Sequence, residues 1–273
     1  MIRIDNHIRS IAVGSFDGMH VAHQELIRRA EAVTVVERQL GSLTPGFKRS
    51  WYTDRPMDFY CFEKIRGLSA EAFVELLKRD YPRLEKIVVG YDFRFGLGRD
   101  GSAETLRELF EGEVEILPEI RVEGIPVHAR TIRHLLREGE LGKANALLGR
   151  RYTVDGEPVP GQGLGRREFV PTINLRVKGY QLPAEGVYAG YTRIGNEHFP
   201  SVIFLGYRHS TDGSFAVETH LLDRQIGPVS GRIFLEFAEY LRPNRRFDTP
   251  QELKEQIYAD IEEAMEKLEK IRN

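Results

Sequence analysis

Short apolar runs alternate with helical patterns along the first half of the chain. The runs at 8–13, 34–37, 58–62, 86–90 and 114–117 predict strands, and apolar residues at helical spacing predict helices over 20–32, 69–79, 103–110, 131–137 and 141–148. Strands that alternate with helices are typical of a parallel sheet covered by helices. The first half is therefore predicted to be an α/β domain. The polar stretch 41–56 shows no clear period and is predicted to be an irregular, mobile loop.

The pattern changes after the short helix predicted at 141–148. Strand-like runs at 154–159, 186–193, 200–206, 215–222 and 232–240 are separated by Gly-Asn, Asp-Gly and Gly-Pro pairs. Short strands separated by such turn-forming pairs predict a small antiparallel β-barrel. An amphipathic pattern over 249–271 then predicts a long closing helix. Two domains follow from this reading, 1–148 and 149–273.

Composition narrows the class of protein. The chain has 273 residues, a formal net charge of −2 and one cysteine, which fits two domains without an internal disulfide. It has no basic surplus, so binding to nucleic acid is not expected. The first residues lack the apolar core of a signal peptide and no run is long enough to span a membrane, so a cytoplasmic protein without a membrane partner is expected. The oligomeric state is not indicated.

Residues 14–23, which read GSFDGMHVAH, form the first candidate site. They lie between a predicted strand and a predicted helix, and the helix start offers unpaired N–H groups to an anion. His20 and His23 have helical i, i+3 spacing and can donate to the same phosphate oxygens. Gly14 and Gly18 allow the backbone to approach a ligand. The alternatives are two surface histidines or part of a metal site, which would need further ligands.

The second candidate site lies in the predicted barrel. Gly161 and Gly165 belong to a glycine-rich turn that could cradle phosphates, and Thr172 and Asn174 offer neutral oxygens to a hard cation such as magnesium. Glu218 lies in a strand that otherwise reads as buried, where an unpaired charge is costly. A general base for a substrate hydroxyl would explain it. The glycines could also form an ordinary turn, and Glu218 could be an outward-facing strand residue.

These strings together resemble the bacterial bifunctional riboflavin kinase/FMN adenylyltransferases, or FAD synthetases. The string at 14–23 is similar to the family motif GxFDGxHxGH, with Ala22 in place of a glycine, and GYDFRFG at 90–96 is similar to a second adenylyltransferase signature. PTIN at 171–174 is similar to the kinase motif PTAN, and the catalytic glutamate of the family falls on Glu218. The resemblance extends over nearly the whole chain.

The resemblance implies a Rossmann-like nucleotidyltransferase domain followed by a riboflavin kinase barrel with a C-terminal helix. It implies ATP and Mg²⁺, with riboflavin, FMN and FAD as substrates and products. Glu218 would be the base of the kinase reaction, and Thr172 and Asn174 would hold the metal. His20, His23 and Arg133 would contact phosphates during adenylyl transfer. The residues implied to bind nucleotide or flavin are Gly14, Phe16, Asp17, Gly18, Asp92, Phe93, Gly161, Gly165, Thr172 and Asn174. Asp17 could equally fix the turn, and Phe93 could be an ordinary core aromatic.

The departures from the family pattern leave alternatives open. The family string SSTxIR reads HARTIR at 128–133, and the segment after the first helix is much shorter than in the family. A monofunctional riboflavin kinase with a degenerate adenylyltransferase domain is therefore the alternative. The family strings before PTAN and further along the kinase half also differ, which allows the converse. A flavin-binding regulator without turnover is the third reading.

Overall fold

The computed structural model describes residues 7–38, 42–160, 170–208, 213–222, 224, 227 and 229–272. The chain divides into two compact units, Met1–Thr131 and Ile132–Asn273. None of the helices formed by the described residues is both long enough and apolar enough to cross a membrane.

The first unit contains a parallel sheet with connecting helices. Its elements are β1 (Ser10–Gly14), α1 (Val21–Arg28), β2 (Ala32–Glu37), a 3-10 helix (Gly46–Tyr52), β3 (Met57–Cys61), α2 (Phe62–Ile65), α3 (Ala70–Asp80), β4 (Lys86–Gly90), β5 (Arg94–Phe95), a 3-10 turn (Leu97–Arg99), β6 (Gly101–Ser102), α4 (Ala103–Leu109), β7 (Glu113–Leu117), β8 (Arg121–Val122), β9 (Ile125–Pro126) and the start of α5 (Ala129–Arg137). Five of the strands form a sheet of order β3-β2-β1-β4-β7, and every pair in it is parallel. The predicted α/β class is confirmed.

Strand β1 lies at the point where the strand order reverses. Its neighbours are β2 on one side and β4 on the other, so the connections leaving β1 and entering β4 diverge at the carboxyl edge of the sheet. Open parallel sheets bind ligands in the crevice formed at such a reversal. The sheet itself is apolar, since Ile11, Ala12, Val33 and Val88 are all fully buried. The core therefore fixes the edge from which the loop after β1 projects.

Two local predictions for this unit are wrong. The helix predicted over 20–32 ends at Arg28, and β2 already begins at Ala32. The stretch 41–56 was predicted to be irregular, yet it contains the 3-10 helix Gly46–Tyr52. Within it Arg49 is almost fully buried and donates to the Glu37 carboxylate and to the Gly46 carbonyl. A buried ion pair in a polar stretch has no apolar period, so the pattern alone did not reveal it.

The second unit contains a closed six-stranded antiparallel barrel. Its elements are the rest of α5, α6 (Leu141–Leu148), β10 (Tyr152–Val159), β11 (Ile173–Val177), β12 (Gly186–Ile194), β13 (Glu197–Tyr207), β14 (Phe215–Leu221), β15 (Ile233–Pro243) and α7 (Pro250–Arg272). The strand order around the barrel is β10-β11-β14-β13-β12-β15. The predicted barrel and closing helix are confirmed.

The sequence reading missed strand β11. Its residues, INLRV, alternate apolar and polar positions, which is the period of a half-buried strand, but the preceding Pro171 reads as a turn. Strand β11 pairs with β10 on one side and β14 on the other. It therefore completes the closure of the barrel and carries Asn174 into the sheet.

Helix α7 packs on the outside of the barrel. Ala264 and Leu268 are buried against Ala189 and Ala238 of two barrel strands. Arg242 of β15 donates from Nε and Nη2 to the two carboxylate oxygens of Asp260, each at 2.7 Å. Because Asp260 is only 3 % exposed, this two-pronged pair ties the helix to the barrel in a fixed register.

Helix α6 belongs to the second unit by its contacts. Asn145 donates from Nδ2 to the carbonyl of Phe237 at 3.0 Å and accepts at Oδ1 from the amide of Tyr152 at 2.7 Å. Both partners lie on barrel strands. The domain boundary at 148/149 stays a prediction, and these bonds favour an assignment of α6 to the barrel unit.

Candidate functional sites

The loop after β1 is a tight, strained turn. Phe16 and Met19 have positive φ values of 49° and 45°, and Gly18 has a φ of 91°. Positive φ is costly for residues other than glycine, and such strain is concentrated at functional sites. Both side chains are fully buried, so the core holds the turn in place. At Gly14, an added Cβ would lie 3.4 Å from the Phe16 ring, which is an ordinary van der Waals contact.

The two histidines are brought together at the start of α1. Their rings stack with centroids 3.5 Å apart and an angle of 15° between planes, and the Phe16 ring lies 5.1 Å from that of His23. His20 is the N-cap residue: its Nδ1 accepts from the backbone amide of His23 at 3.3 Å. Because Nδ1 is an acceptor, the neutral ring carries its proton on Nε2. The predicted pairing of the two imidazoles at a helix start is therefore present in the structure.

Asp17 holds the turn to the following segment. It is 5 % exposed, and its Oδ1 accepts from the backbone amide of Thr44 at 3.1 Å. Gln24 adds a second tie, because its Nε2 donates to the carbonyls of Met19 and Tyr52 at 3.3 and 3.1 Å. The short segment that follows β2 thus braces the histidine turn. This geometry favours the turn-fixing role for Asp17.

A polar cluster lies beyond the carboxyl ends of β4 and β7. The Tyr91 hydroxyl donates to Glu119 at 3.0 Å and lies 3.2 Å from Nε2 of His128, and the exposed Asp92 lies 3.8 Å from Nδ1 of His128. Partial burial and the nearby Glu119 raise the pKa of Tyr91. Hydrogen bonds from Tyr91 and Arg121 lower the pKa of Glu119. His128 is therefore part of a hydrogen-bonded cluster.

Phe93 packs against the core of the first unit. Its ring stacks on Phe95 at 5.5 Å, and Phe95 in turn lies 5.3 Å from Phe73. Phe95 is 6 % exposed and Phe93 is half-buried. This packing favours a structural role for Phe93, and its predicted contact with a ligand stays a prediction.

Arg133 lies on helix α5 and is half-buried. It belongs to the second unit, whereas the histidine turn belongs to the first. The predicted role of Arg133 beside the nucleotide phosphates stays a prediction.

The second site is assembled by strand register. Asn174 of β11 lies directly opposite Glu218 of β14. Along β14, Glu218 alternates with the buried Val217 and Thr219, so its side chain lies on the other face of the strand from theirs. The Glu218 side chain is 18 % exposed. The structure therefore brings together two residues that the sequence analysis had linked only by chemistry.

Arg208, at the end of β13, connects the two. Its Nε donates to Oε1 of Glu218 at 2.7 Å, its Nη2 donates to Oδ1 of Asn174 at 2.5 Å, and its Nη1 donates to the Ser214 hydroxyl at 2.7 Å. The backbone of the hairpin fixes Arg208 as well, since its amide donates to the Ser214 carbonyl at 3.0 Å. The charge of Glu218 is thereby compensated.

The structure describes only some of the other residues predicted for this site. Thr172 is exposed just before β11. His220, on the same strand face as Glu218, has its Nδ1 2.8 Å from the carbonyl of Pro171, so it anchors the backbone that carries Thr172. Gly161 and Gly165 lie outside the described residues. The hydroxyl of Thr172 and the amide oxygen of Asn174 are hard, neutral donors of the kind that Mg²⁺ prefers, and the Asn174 oxygen also accepts the hydrogen bond from Arg208.

Arg208, Ser214 and His220 were not predicted as site residues from the sequence. A signal for Arg208 was present, because a carboxylate in a buried strand needs a cationic partner. The neighbouring strand of the hairpin ends at Tyr207, and the next residue is a basic one. No local pattern pointed to Ser214 or His220, which act through hydrogen bonds between strands.

Comparisons with known proteins agree with this division into two sites. Residues 148–268 match the riboflavin kinase family and residues 57–131 match the FAD synthetase family. Among curated relatives, a bifunctional riboflavin kinase/FMN adenylyltransferase from Pseudomonas fluorescens is 28% identical, with 91% of this chain and 89% of the relative covered. Relatives with the same name from Mycoplasma pneumoniae and Escherichia coli K12 are 27% and 26% identical; the alignments cover 94% and 92% of this chain, and 96% and 90% of those relatives.

A crystal structure of a protein from Streptococcus pneumoniae described as a macrolide-efflux protein superposes with a TM-score of 0.83. It is 24% identical, and the alignment covers 95% of this chain and 94% of that one. At this identity the likeness shows the fold alone. The family models and the curated relatives together span both units, so the chain combines a match to the riboflavin kinase family with a match to the FAD synthetase family and is similar over most of its length to bifunctional riboflavin kinase/FMN adenylyltransferases.

Proposed function

We propose that the chain makes FMN from riboflavin at the barrel site and FAD from FMN at the histidine turn, with ATP as the donor in both reactions. The observation that carries the proposal is the meeting of Asn174 and Glu218 across β11 and β14. In this register, the Asn174 amide, whose oxygen can bind a metal, and the Glu218 carboxylate, which can act as a base, lie on the same face of the sheet. Phosphoryl transfer to a hydroxyl requires both functions.

In the kinase reaction, Glu218 accepts the proton of the riboflavin 5′-hydroxyl. The hydroxyl oxygen forms a bond to the γ-phosphorus of ATP while the bond from that phosphorus to the bridging oxygen of ADP breaks. FMN and ADP are the products, and the proton stays on Glu218 until it is released to solvent. The partial burial of Glu218 limits competing water at the carboxylate.

Magnesium fits the kinase site through Thr172 and Asn174. When bound, it supplies positive charge to the triphosphate and so lowers the cost of bringing a nucleophile to the γ-phosphate. Thr172 would bind through its hydroxyl and Asn174 through its amide oxygen. His220 fixes the backbone before Thr172, so the two donors keep their spacing.

In the adenylyltransferase reaction, an oxygen of the FMN phosphate attacks the α-phosphorus of ATP. The bond to the β-phosphate oxygen breaks, and FAD and pyrophosphate result. His20 donates from Nε2 and His23 donates beside it, so the stacked pair stabilises the negative charge that develops on the phosphates. Asp17 keeps the turn in this geometry through Thr44. Arg133 would bind the pyrophosphate end.

The alternative is a kinase that has lost adenylylation. It is favoured by the replacement of the family string SST by HAR at 128–130 and by the engagement of His128 with Tyr91. The presence of both family domains and of the histidine turn favours the bifunctional reading.

One assay tests these readings. The purified chain is incubated with riboflavin, ATP and Mg²⁺, and in a parallel sample with FMN, ATP and Mg²⁺, and the flavins are separated by chromatography. FMN and FAD from the first sample and FAD from the second support the bifunctional enzyme. FMN without FAD in both samples supports the monofunctional kinase, and no product in either sample contradicts both readings.

A further inference from the structure

Arg208 holds Glu218 by one of its two carboxylate oxygens. Nε and Nη2 of Arg208 both approach Oε1, at 2.7 and 2.6 Å. The other oxygen, Oε2, accepts no hydrogen bond from any residue that the structure describes. Arg208 therefore fixes the carboxylate through Oε1, and Oε2 is available to a substrate.

We propose that Arg208 is the positioning residue of the kinase site. It orients the Glu218 carboxylate so that Oε2 points to the riboflavin 5′-hydroxyl, and it couples that orientation to Asn174. This inference rests on the proposed role of Glu218 as the kinase base. It goes beyond that role because it names Arg208 as the residue that sets the direction from which Glu218 accepts the proton.

Arg208 restricts the orientation of the Glu218 carboxylate. A glutamate side chain has three rotatable bonds, and a base must lie within hydrogen-bond reach of the proton it accepts. The planar guanidinium of arginine donates along fixed directions, so a carboxylate bound to it loses much of this freedom. Arg208 and Glu218 have side-chain exposures of 19 % and 18 %, so water screens the pair much less than it would on an open surface.

Arg208 is itself held from two sides. Ser214 accepts from Nη1 on the hairpin, and Asn174 accepts from Nη2 on β11. The guanidinium therefore spans the hairpin, β11 and β14. A displacement of Asn174, which is the predicted metal donor, is transmitted through Arg208 to the carboxylate of Glu218. The acceptor of the proton and the donor to the metal are thus kept in one fixed arrangement.

The test is a double-mutant cycle on kinase turnover. Arg208→Ala, Glu218→Gln and the double variant are compared with the wild type by steady-state kinetics with riboflavin, ATP and Mg²⁺. We expect Arg208→Ala to lower kcat by about 10- to 100-fold because the base is misplaced, with both KM values changed by less than about threefold. In the double variant we expect a rate within about threefold of Glu218→Gln alone, because Arg208 then has no base to orient.

Controls separate orientation from a general structural effect. Arg176 lies on the same strand as Asn174 and pairs with the exposed Glu157, so Arg176→Ala should leave kcat unchanged. Thermal unfolding and FAD formation from supplied FMN report whether each variant is folded. If Arg208→Ala fails to fold, Arg208→Gln, which keeps a donor of similar length, replaces it in the cycle.

The outcomes distinguish a failure of the positioning role of Arg208 from a failure of the proposed kinase mechanism. Wild-type kcat in a folded Arg208 variant overturns the positioning role, and so does a double variant whose loss equals the product of the two single losses. A shift confined to the KM of ATP also overturns it, because that result would make Arg208 a nucleotide ligand. If Glu218→Gln itself keeps the wild-type rate, the proposed kinase mechanism fails first.

Discussion

The two sites differ in how the chain builds them. The histidine turn comes from ten consecutive residues at the end of one strand, whose backbone is set by positive φ values and buried side chains. The barrel site comes from residues on three strands and a hairpin, and the register of β11 against β14 sets its geometry. The first arrangement is local and strained, whereas the second is non-local and depends on the closed sheet.

This difference has a mechanistic consequence. In the turn, the two imidazoles are in direct contact by ring stacking, so a change at one ring is felt by the other. In the barrel, one guanidinium bridges the base and the amide donor, so a change at one residue is felt by its neighbours on other strands. We therefore expect substitutions to be coupled within each site, through a contact between near neighbours in the turn and through a bridge between distant segments in the barrel.

The largest expected effect is on kinase turnover. Glu218→Gln should lower kcat for FMN formation by about a hundredfold or more, because the amide cannot accept the proton. FAD formation from supplied FMN should be unchanged, since the histidine turn belongs to the other unit. Glu157→Gln, an exposed carboxylate on β10, is the control. A parallel loss of both activities in Glu218→Gln would break the separation of the two sites.

The reverse experiment removes an imidazole from the turn. His20→Asn keeps an oxygen that can cap α1 but replaces the imidazole Nε2–H by an amide on a shorter side chain, and His23→Ala removes the stacked ring. Each should lower FAD formation from FMN by about a hundredfold with kinase turnover retained, as measured in the two-sample flavin assay. His198→Ala, an exposed histidine of β13, should change neither rate. Unchanged FAD formation in both turn variants would remove the histidines from the reaction.

The next effect is on the stability of the barrel. Asp260→Asn leaves Arg242 without its buried anionic partner and should lower the free energy of unfolding of the barrel unit by about 3 kcal/mol. Glu263→Gln, on the exposed side of the same helix, should cost less than about 0.5 kcal/mol. Denaturant unfolding followed by both activities gives the measurement. Loss of kinase activity at a lower denaturant concentration in Asp260→Asn than in Glu263→Gln and the wild type is the expected result, and equal midpoints in all three would contradict it.

The smallest effect is electrostatic and lies in the first unit. The hydrogen bond from Lys86, and to a smaller extent Arg29, lowers the pKa of Glu115. The ionised Glu115 carboxylate therefore contributes to stability at pH values above the pKa of a glutamate in the unfolded chain, about 4.3. That contribution is lost as the pH falls from this value through the lowered pKa of the folded chain. Glu115→Gln should therefore cost less than about 1 kcal/mol at pH 7, and the difference from wild type should shrink steadily as the pH is lowered below the unfolded pKa. A difference that does not shrink on acidification would exclude this ion pair as the cause.

The sequence was informative where the structure is local. The string at 14–23 predicted the histidine turn, and Ser69 predicted the start of α3, whose amide at Ala72 it caps at 3.2 Å. The sheet and the barrel followed from their periods. Strand β11 did not, because its alternation spans only five residues and the preceding Pro171 reads as a turn. Arg208 did not, because its role depends on which strands become neighbours. Arg49 was missed for a related reason, since its partner Glu37 lies across a loop.

The two bonds of Asn145 bear on how the kinase half can be excised. A fragment that starts at residue 149 would lose the side chain that accepts from Tyr152 and donates to Phe237, and two backbone groups at the edge of the barrel would lose their partners. An expression boundary upstream of Leu141 keeps them. The stretch 148–268 that matches the riboflavin kinase family therefore leaves out nearly all of α6, and a kinase fragment should include that helix.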